Sequence, residues 1–199
     1  MKAPHPAVQR MAPNMTLAER LLFDAGQIKT QFIVTTPERV VRVETPWEDP
    51  DAKAIYYQLM LLFCHAENAT AVTMIAEAWV RHTARRPDEK LSALMKRATA
   101  LPVSKAPDKL EVLIVATAYR DDDDAIATLL EAREIVRDDS GGLLRTEPFT
   151  FGPGAPVDPI LERLVPPAAL TPEMRLSARR ELTFAQLRSG IVLQPRSVG

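Results

Sequence analysis

The chain has 199 residues, 46% hydrophobic and 26% charged, with 25 Lys and Arg against 26 Asp and Glu and a net charge of −1. That is enough chain for one sizeable core at an ordinary globular composition. The scattered basic residues argue against a nucleic-acid binder, whose Lys and Arg cluster on one side.

A single cysteine, Cys64, excludes a disulfide within the chain and favours a reducing compartment. The longest apolar run, Leu59 to Cys64, falls far short of the roughly 20 residues of a membrane span. The opening MKAPHPAVQRMAPNM lacks the apolar stretch of a secretory signal. The expectation is a soluble cytoplasmic protein with neither membrane nor nucleic acid as partner. Seventeen prolines against 7 glycines read as stiff connections.

Residues 1–15 read as a flexible arm. Thr16 and Glu19 have the spacing of a capping box, with Leu17, Leu21, Leu22 and Ala25 along one side of the helix that follows. Gln31–Thr36 and Arg39–Glu44 are rich in β-branched residues and predict a hairpin across Pro37-Glu38. Asp49 or Asp51 caps a second helix reaching about Glu67, with Ile55, Leu59, Leu62 and Phe63 as its apolar stripe.

Thr70–His82 and Lys109–Arg120 alternate at the two-residue period of strands. Met74, Ala76, Ala78 and Val80 share one face of the first, and Leu110, Val112, Ile114, Ala116 and Ala118 one face of the second. Between them, Pro87–Ala100 has the composition of a helix, with Leu91, Leu94, Met95 and Ala98 suitably spaced. Ala125–Arg137 admits two readings. Ile126, Leu129, Leu130 and Arg133 are helically spaced, whereas Leu130, Ala132, Glu134 and Val136 alternate. The run Asp138–Gly142 is good hairpin chemistry and favours a strand for the second half, with Leu143–Phe151 returning. Gly152–Pro156 reads as a loop and Asp158–Leu164 as a helical turn. Thr171-Pro172-Glu173 opens a last helix that stops at Gly190, leaving residues 191–199 as a tail to a domain spanning 16–190.

Few motifs carry chemistry. Asp139-Ser140-Gly141-Gly142 looks like the serine-site signature of trypsin-type proteases, which also needs a histidine base. Of His5, His65 and His82, only His65 adjoins a cysteine, and it follows Cys64 where that family has the reverse order. A β-turn is the ordinary reading. Asp121–Asp124 fails as a calcium loop, with Ile126 at the sixth position and Ala132 at the twelfth. Cys64 and His65 point about 100° apart on a helix and do not converge on one metal ion. No glycine-rich phosphate loop is present. No cofactor, metal site or catalytic residue is assigned on these grounds, and enzymatic activity is left open. Metal-dependent hydrolysis through the aspartate run or His65 is the weakest of the readings.

The candidate surface is the mixed face of the two long strands. Glu77, Trp79 and Arg81 line it on one, Glu111 and Tyr119 on the other. The ordinary alternative is that a helix covers this face, Trp79 packs, and Arg81–Glu111 is a cross-strand pair of about 0.2–1 kcal/mol. An aromatic and an arginine together suit a ligand pocket or a self-association surface.

Glu77-Ala78-Trp79 leaving one strand and Pro107–Val112 entering the next resemble a group of small bacterial and phage proteins without assigned function. The order helix, hairpin, helix, antiparallel strands is similar to profilin-like and roadblock-type domains, a likeness of fold alone. The reading is therefore α+β, a mainly antiparallel sheet of five to six strands with helices packed on it. The expected role is that of a non-enzymatic, self-associating or partner-binding domain, a reading that rests on the absence of a convergent catalytic set; the alternative is a small-molecule binder or enzyme using the mixed face around Trp79 and Glu111.

Overall fold

The computed structural model describes residues 4–47, 49–81, 87–90, 92–93, 96–97, 103–151 and 159–198. Of the helix expected over Pro87–Ala100, the stripe residues Leu91, Leu94, Met95 and Ala98 lie outside the described residues, as does the loop at Gly152–Pro156.

The first helix, α1, runs from Pro6 to Ala25. Residues 6–15 are thus helix and not a flexible arm. Pro6 takes the first helical position, where a missing N–H costs nothing, and His5 Nδ1 accepts the Ala7 N–H at 3.1 Å. Ala7, Met11, Met15, Ala18 and Leu22 then fall on one side at helical spacing. Thr16 does not cap: its hydroxyl donates back to the Ala12 carbonyl at 3.1 Å within the helix. Gly26 ends α1 at φ 74°, its N–H donating to the Leu22 carbonyl.

The hairpin β1 (Gln31–Thr35) and β2 (Val40–Glu44) leads to α2 (Pro50–Ala66). Asp49 caps α2 by accepting the Asp51 and Ala52 N–H groups at 2.9 and 2.8 Å. Four long or medium strands follow: β3 (Ala71–Arg81), β4 (Lys109–Arg120), β5 (Ile126–Arg137) and β6 (Leu143–Phe149). Helices α3 (Pro159–Leu164) and α4 (Pro172–Ser189) come next, then β7 (Arg196–Ser197). Thr171 caps α4 and Gly190 closes it in the left-handed region.

The fold is α+β. Among the described residues seven strands form one antiparallel sheet in the order β6-β5-β4-β3-β1-β2-β7. The strand beyond the expected six comes from the C-terminal tail, where Leu193 is buried and β7 pairs with β2. The Ala125–Arg137 ambiguity resolves as strand from Ile126 to Arg137, through both halves of the segment. Tight turns hold both ends of β5. Asp121 Oδ1 accepts the Asp123 and Ala125 N–H groups, and Asp138 Oδ1 accepts those of Ser140 and Gly142. Ser140 donates its hydroxyl to the same Asp138 oxygen, so the protease-like run is a turn. Gly141 sits at φ 85°, a conformation that glycine adopts without a side-chain clash. β6, the last strand on its side of the sheet, carries Pro148 and the exposed Arg145–Glu147 pair.

Both faces of the sheet are covered. On one, Phe32, Val34, Val41, Val43 and Val72 pack against Tyr57, Met60 and Phe63 of α2 and against Leu161 and Leu164 of α3. On the other, Ile33, Ile75, Leu113 and Val115 meet Met15, Ala18 and Leu22 of α1. Thr73 and Thr117 share a buried hydrogen bond of 2.8 Å on the α1 side, which satisfies their hydroxyls under the helix. Leu22→Ala is expected to cost about 2–5 kcal/mol, as for other fully buried leucines. Urea denaturation checks it; an unmoved midpoint would mean that α1 does not hold the sheet.

Candidate functional site

The β3–β4 register places Trp79 opposite Glu111, Arg81 opposite Lys109 and Ala71 opposite Tyr119. Glu111 and Tyr119 are eight residues apart on one strand, or about 26 Å. The five candidate residues therefore do not converge. Thr73, Ile75, Val115 and Thr117 lie between the two ends, on the face α1 covers. Tyr119 stacks on His5 at one end, with ring centroids 4.5 Å apart. Glu77, Trp79, Arg81 and Glu111 gather at the other.

At that end a residue from β5 joins them. Arg137 makes a two-pronged contact with Glu111, Nε to Oε2 and Nη2 to Oε1, both at 2.8 Å. Its guanidinium also lies 4.0 Å from Glu77. Glu77 in turn accepts the backbone N–H of Ile28, from the segment that follows α1. The expected Arg81–Glu111 pair is replaced on both sides: Arg81 bonds Asp108 at 3.0 Å, and Glu111 belongs to Arg137. Trp79 remains 45% exposed with the Lys109 ammonium 4.2 Å from its ring centroid.

Arg137 was not among the residues singled out from the sequence. The signal was present in the turn chemistry: once Asp121–Ala125 sets the β4–β5 register, the pairing of Val112 with Glu134 brings Arg137 alongside Glu111. A strand reading confined to the second half of this segment leaves the β4–β5 register unset and Arg137 without an assigned neighbour.

Burial pushes the Glu77 carboxyl above its ordinary value, the Ile28 N–H opposes this, and the neighbouring Glu111 charge adds to the rise. The group thus brings two carboxyl groups and one guanidinium together at a strand end, where they offer hydrogen-bond acceptors and donors side by side.

The other chemically suggestive residues are absorbed by the fold. Cys64 is buried in the core, and burial followed by the Glu67 charge raises its thiol well above the usual range, so it favours the protonated form. His65 Nε2 lies 3.4 Å from the Arg163 carbonyl oxygen. Among the described residues no three His, Cys, Asp or Glu side chains are grouped to hold a metal ion, and no helix is long and apolar enough to cross a membrane. No protein-family model, curated protein or solved structure matches the chain. The likeness drawn from element order therefore brings no residue role onto this site.

Glu77 has a pH signature. A carboxyl whose folded-state pKa is raised contributes stability that is fully present below its unfolded-state value and is lost as pH rises through the folded-state value. Glu77→Gln keeps the acceptor for Ile28 and carries no charge. It is expected to be at least as stable as the parent at about pH 7 and to lose that advantage by about pH 4. Guanidinium denaturation at the two pH values measures it, and a pH-independent loss would contradict the assignment.

Proposed function

We propose that the protein is a non-enzymatic, cytoplasmic domain that self-associates through α4. The observation that carries this reading is the poor burial of that helix. In 18 residues α4 buries only Ala178, while Leu176, Phe184 and Leu187 are 50%, 72% and 76% exposed. An isolated helix of this length is marginal in water and draws its stability from packing an apolar face. Exposed aromatic and aliphatic residues at this density on one helix mark an interaction surface.

The helix is docked from its other side. Arg175 donates to the Ala66 carbonyl, Arg179 reaches Glu67, and Leu182 and Ala185 pack toward the α2 core. The exposed side stays free for a partner, and its pattern suits a second copy. Leu176 and Leu187 are 11 residues apart, close to three full turns, so they share one line along the helix. In an antiparallel, two-fold arrangement Leu176 of each copy falls opposite Leu187 of the other, and Phe184 falls beside the exposed Arg180. Each apolar end then meets its counterpart with no partner of different sequence required.

Sedimentation equilibrium across micromolar concentrations tests the reading. The parent chain is expected to form dimers, and Phe184→Glu with Leu187→Glu to weaken them by at least about tenfold while leaving the fold intact. A parent chain that sediments as a monomer throughout would overturn it.

A further inference from the structure

On the sheet face opposite the Glu77–Glu111–Arg137 group, β1 pairs with β3 only as far as Ile75, so Ala76 and the residues beyond it have no neighbour on that side. A cleft of about 330 Å³ opens there, beside the first turns of α2. Its floor is made by small residues on adjacent strands, Ala76 and Ala78 of β3 and Ala116 of β4, with Ile114 opposite Ala76. Three alanines in this position leave space that larger side chains would fill.

The wall of the cleft is aromatic. Trp47 and Tyr57 lie with ring centroids 5.5 Å apart, and the Lys53 ammonium stands 5.7 and 5.5 Å from their centres. Lys53 reaches no carboxylate among the described residues. The one acidic group bordering the cleft among the described residues, Glu77, is committed to the Ile28 N–H and lies beside Arg137. The site therefore pairs a half-buried cation, held over two rings, with an apolar floor of a volume within the range of about 300–1,000 Å³ common for small-molecule sites.

We infer that this cleft binds a small aromatic carboxylate, its carboxylate on Lys53 and its ring on the alanine floor against Trp47. The cation supplies the attraction for a single negative charge. The flat, shallow floor of Ala76, Ala78 and Ala116 suits a planar ring, which stacks beside Trp47 with favourable aromatic geometry. This site is independent of the α4 surface.

Titration with 2-naphthoate tests the inference, with 2-naphthamide as its uncharged counterpart. The chain has two tryptophans, Trp47 and Trp79, so Trp79→Phe leaves Trp47 as the only indole reporter. In that background, 2-naphthoate is expected to change the Trp47 emission saturably and to bind more tightly than 2-naphthamide. Lys53→Met should weaken 2-naphthoate by about tenfold or more while leaving 2-naphthamide unchanged. Ala78→Leu, which fills the floor, should abolish binding of both. Lys53→Met keeps an unbranched apolar stem against Trp47 and Tyr57, so the charge test stays readable if Ala78→Leu does not fold. No saturable response in the parent, equal loss of both probes in Lys53→Met, or undiminished binding in a folded Ala78→Leu would each overturn the inference.

Discussion

The pairing of β3 with β4 is the constraint on which the rest of the structure depends. Residues Ala71–Arg81 are matched one for one with Lys109–Tyr119, and the ladder is apolar on both faces through its middle. A sheet of this kind is stable only when both sides are shielded from water. Helix α1 supplies one shield, and α2 with α3 the other. Neither shield matches the ladder in length: a 12-residue strand spans about 40 Å, whereas the 17 residues of α2 span about 25 Å. The difference has to appear as uncovered strand ends. On the α1 side that end carries Glu77, Glu111 and Arg137; on the α2 side it forms the cleft beside Lys53. Both candidate sites thus follow from one mismatch between strand and helix.

The arrangement of charge at the first of these ends follows from geometry as much as from attraction. Arg81 and Glu111 are diagonal neighbours across the ladder, and either could have taken the other. The planar guanidinium of Arg137 meets both oxygens of Glu111 at once, a stronger contact than a single prong. Arg81 is left to the more exposed Asp108, where solvent screening makes an ion pair worth little. The bidentate pair is the one that orders the strand ends, and it holds Glu77 beside a second acid whose charge it resists.

Much of this was legible in the residues, and the misses have physical causes. Alternation in Thr70–Arg81 and Lys109–Arg120, the caps at Asp49 and Thr171, and the stop at Gly190 all carry local signals, and each appears in the structure. The start of α1 was hidden because Pro6 and Pro13 read as breakers. Pro6 in fact occupies the position that tolerates proline best, and Pro13 sits within the helix while Met11, Met15, Ala18 and Leu22 anchor it. β5 looked half helical because a strand covered on both faces loses its alternation: Leu130 packs toward the α2 side, while Ile135 belongs to the α1 core. The five-residue candidate face was assembled from strand phase alone. Phase says which side a residue takes, not how far along the ladder it lies, and Tyr119 is separated from the rest by distance. β7 has only two residues, too few for any periodic signal.

That short last strand and Pro148 together determine how the sheet meets its surroundings. At one margin β7 occupies the hydrogen-bonding groups of β2 around Val41 and Arg42; at the other, β6 offers a proline that cannot donate and a pair of exposed charges. Such features are how natural sheets discourage the lateral addition of foreign strands. The molecule is thereby guarded at both margins against open-ended, fibre-like growth.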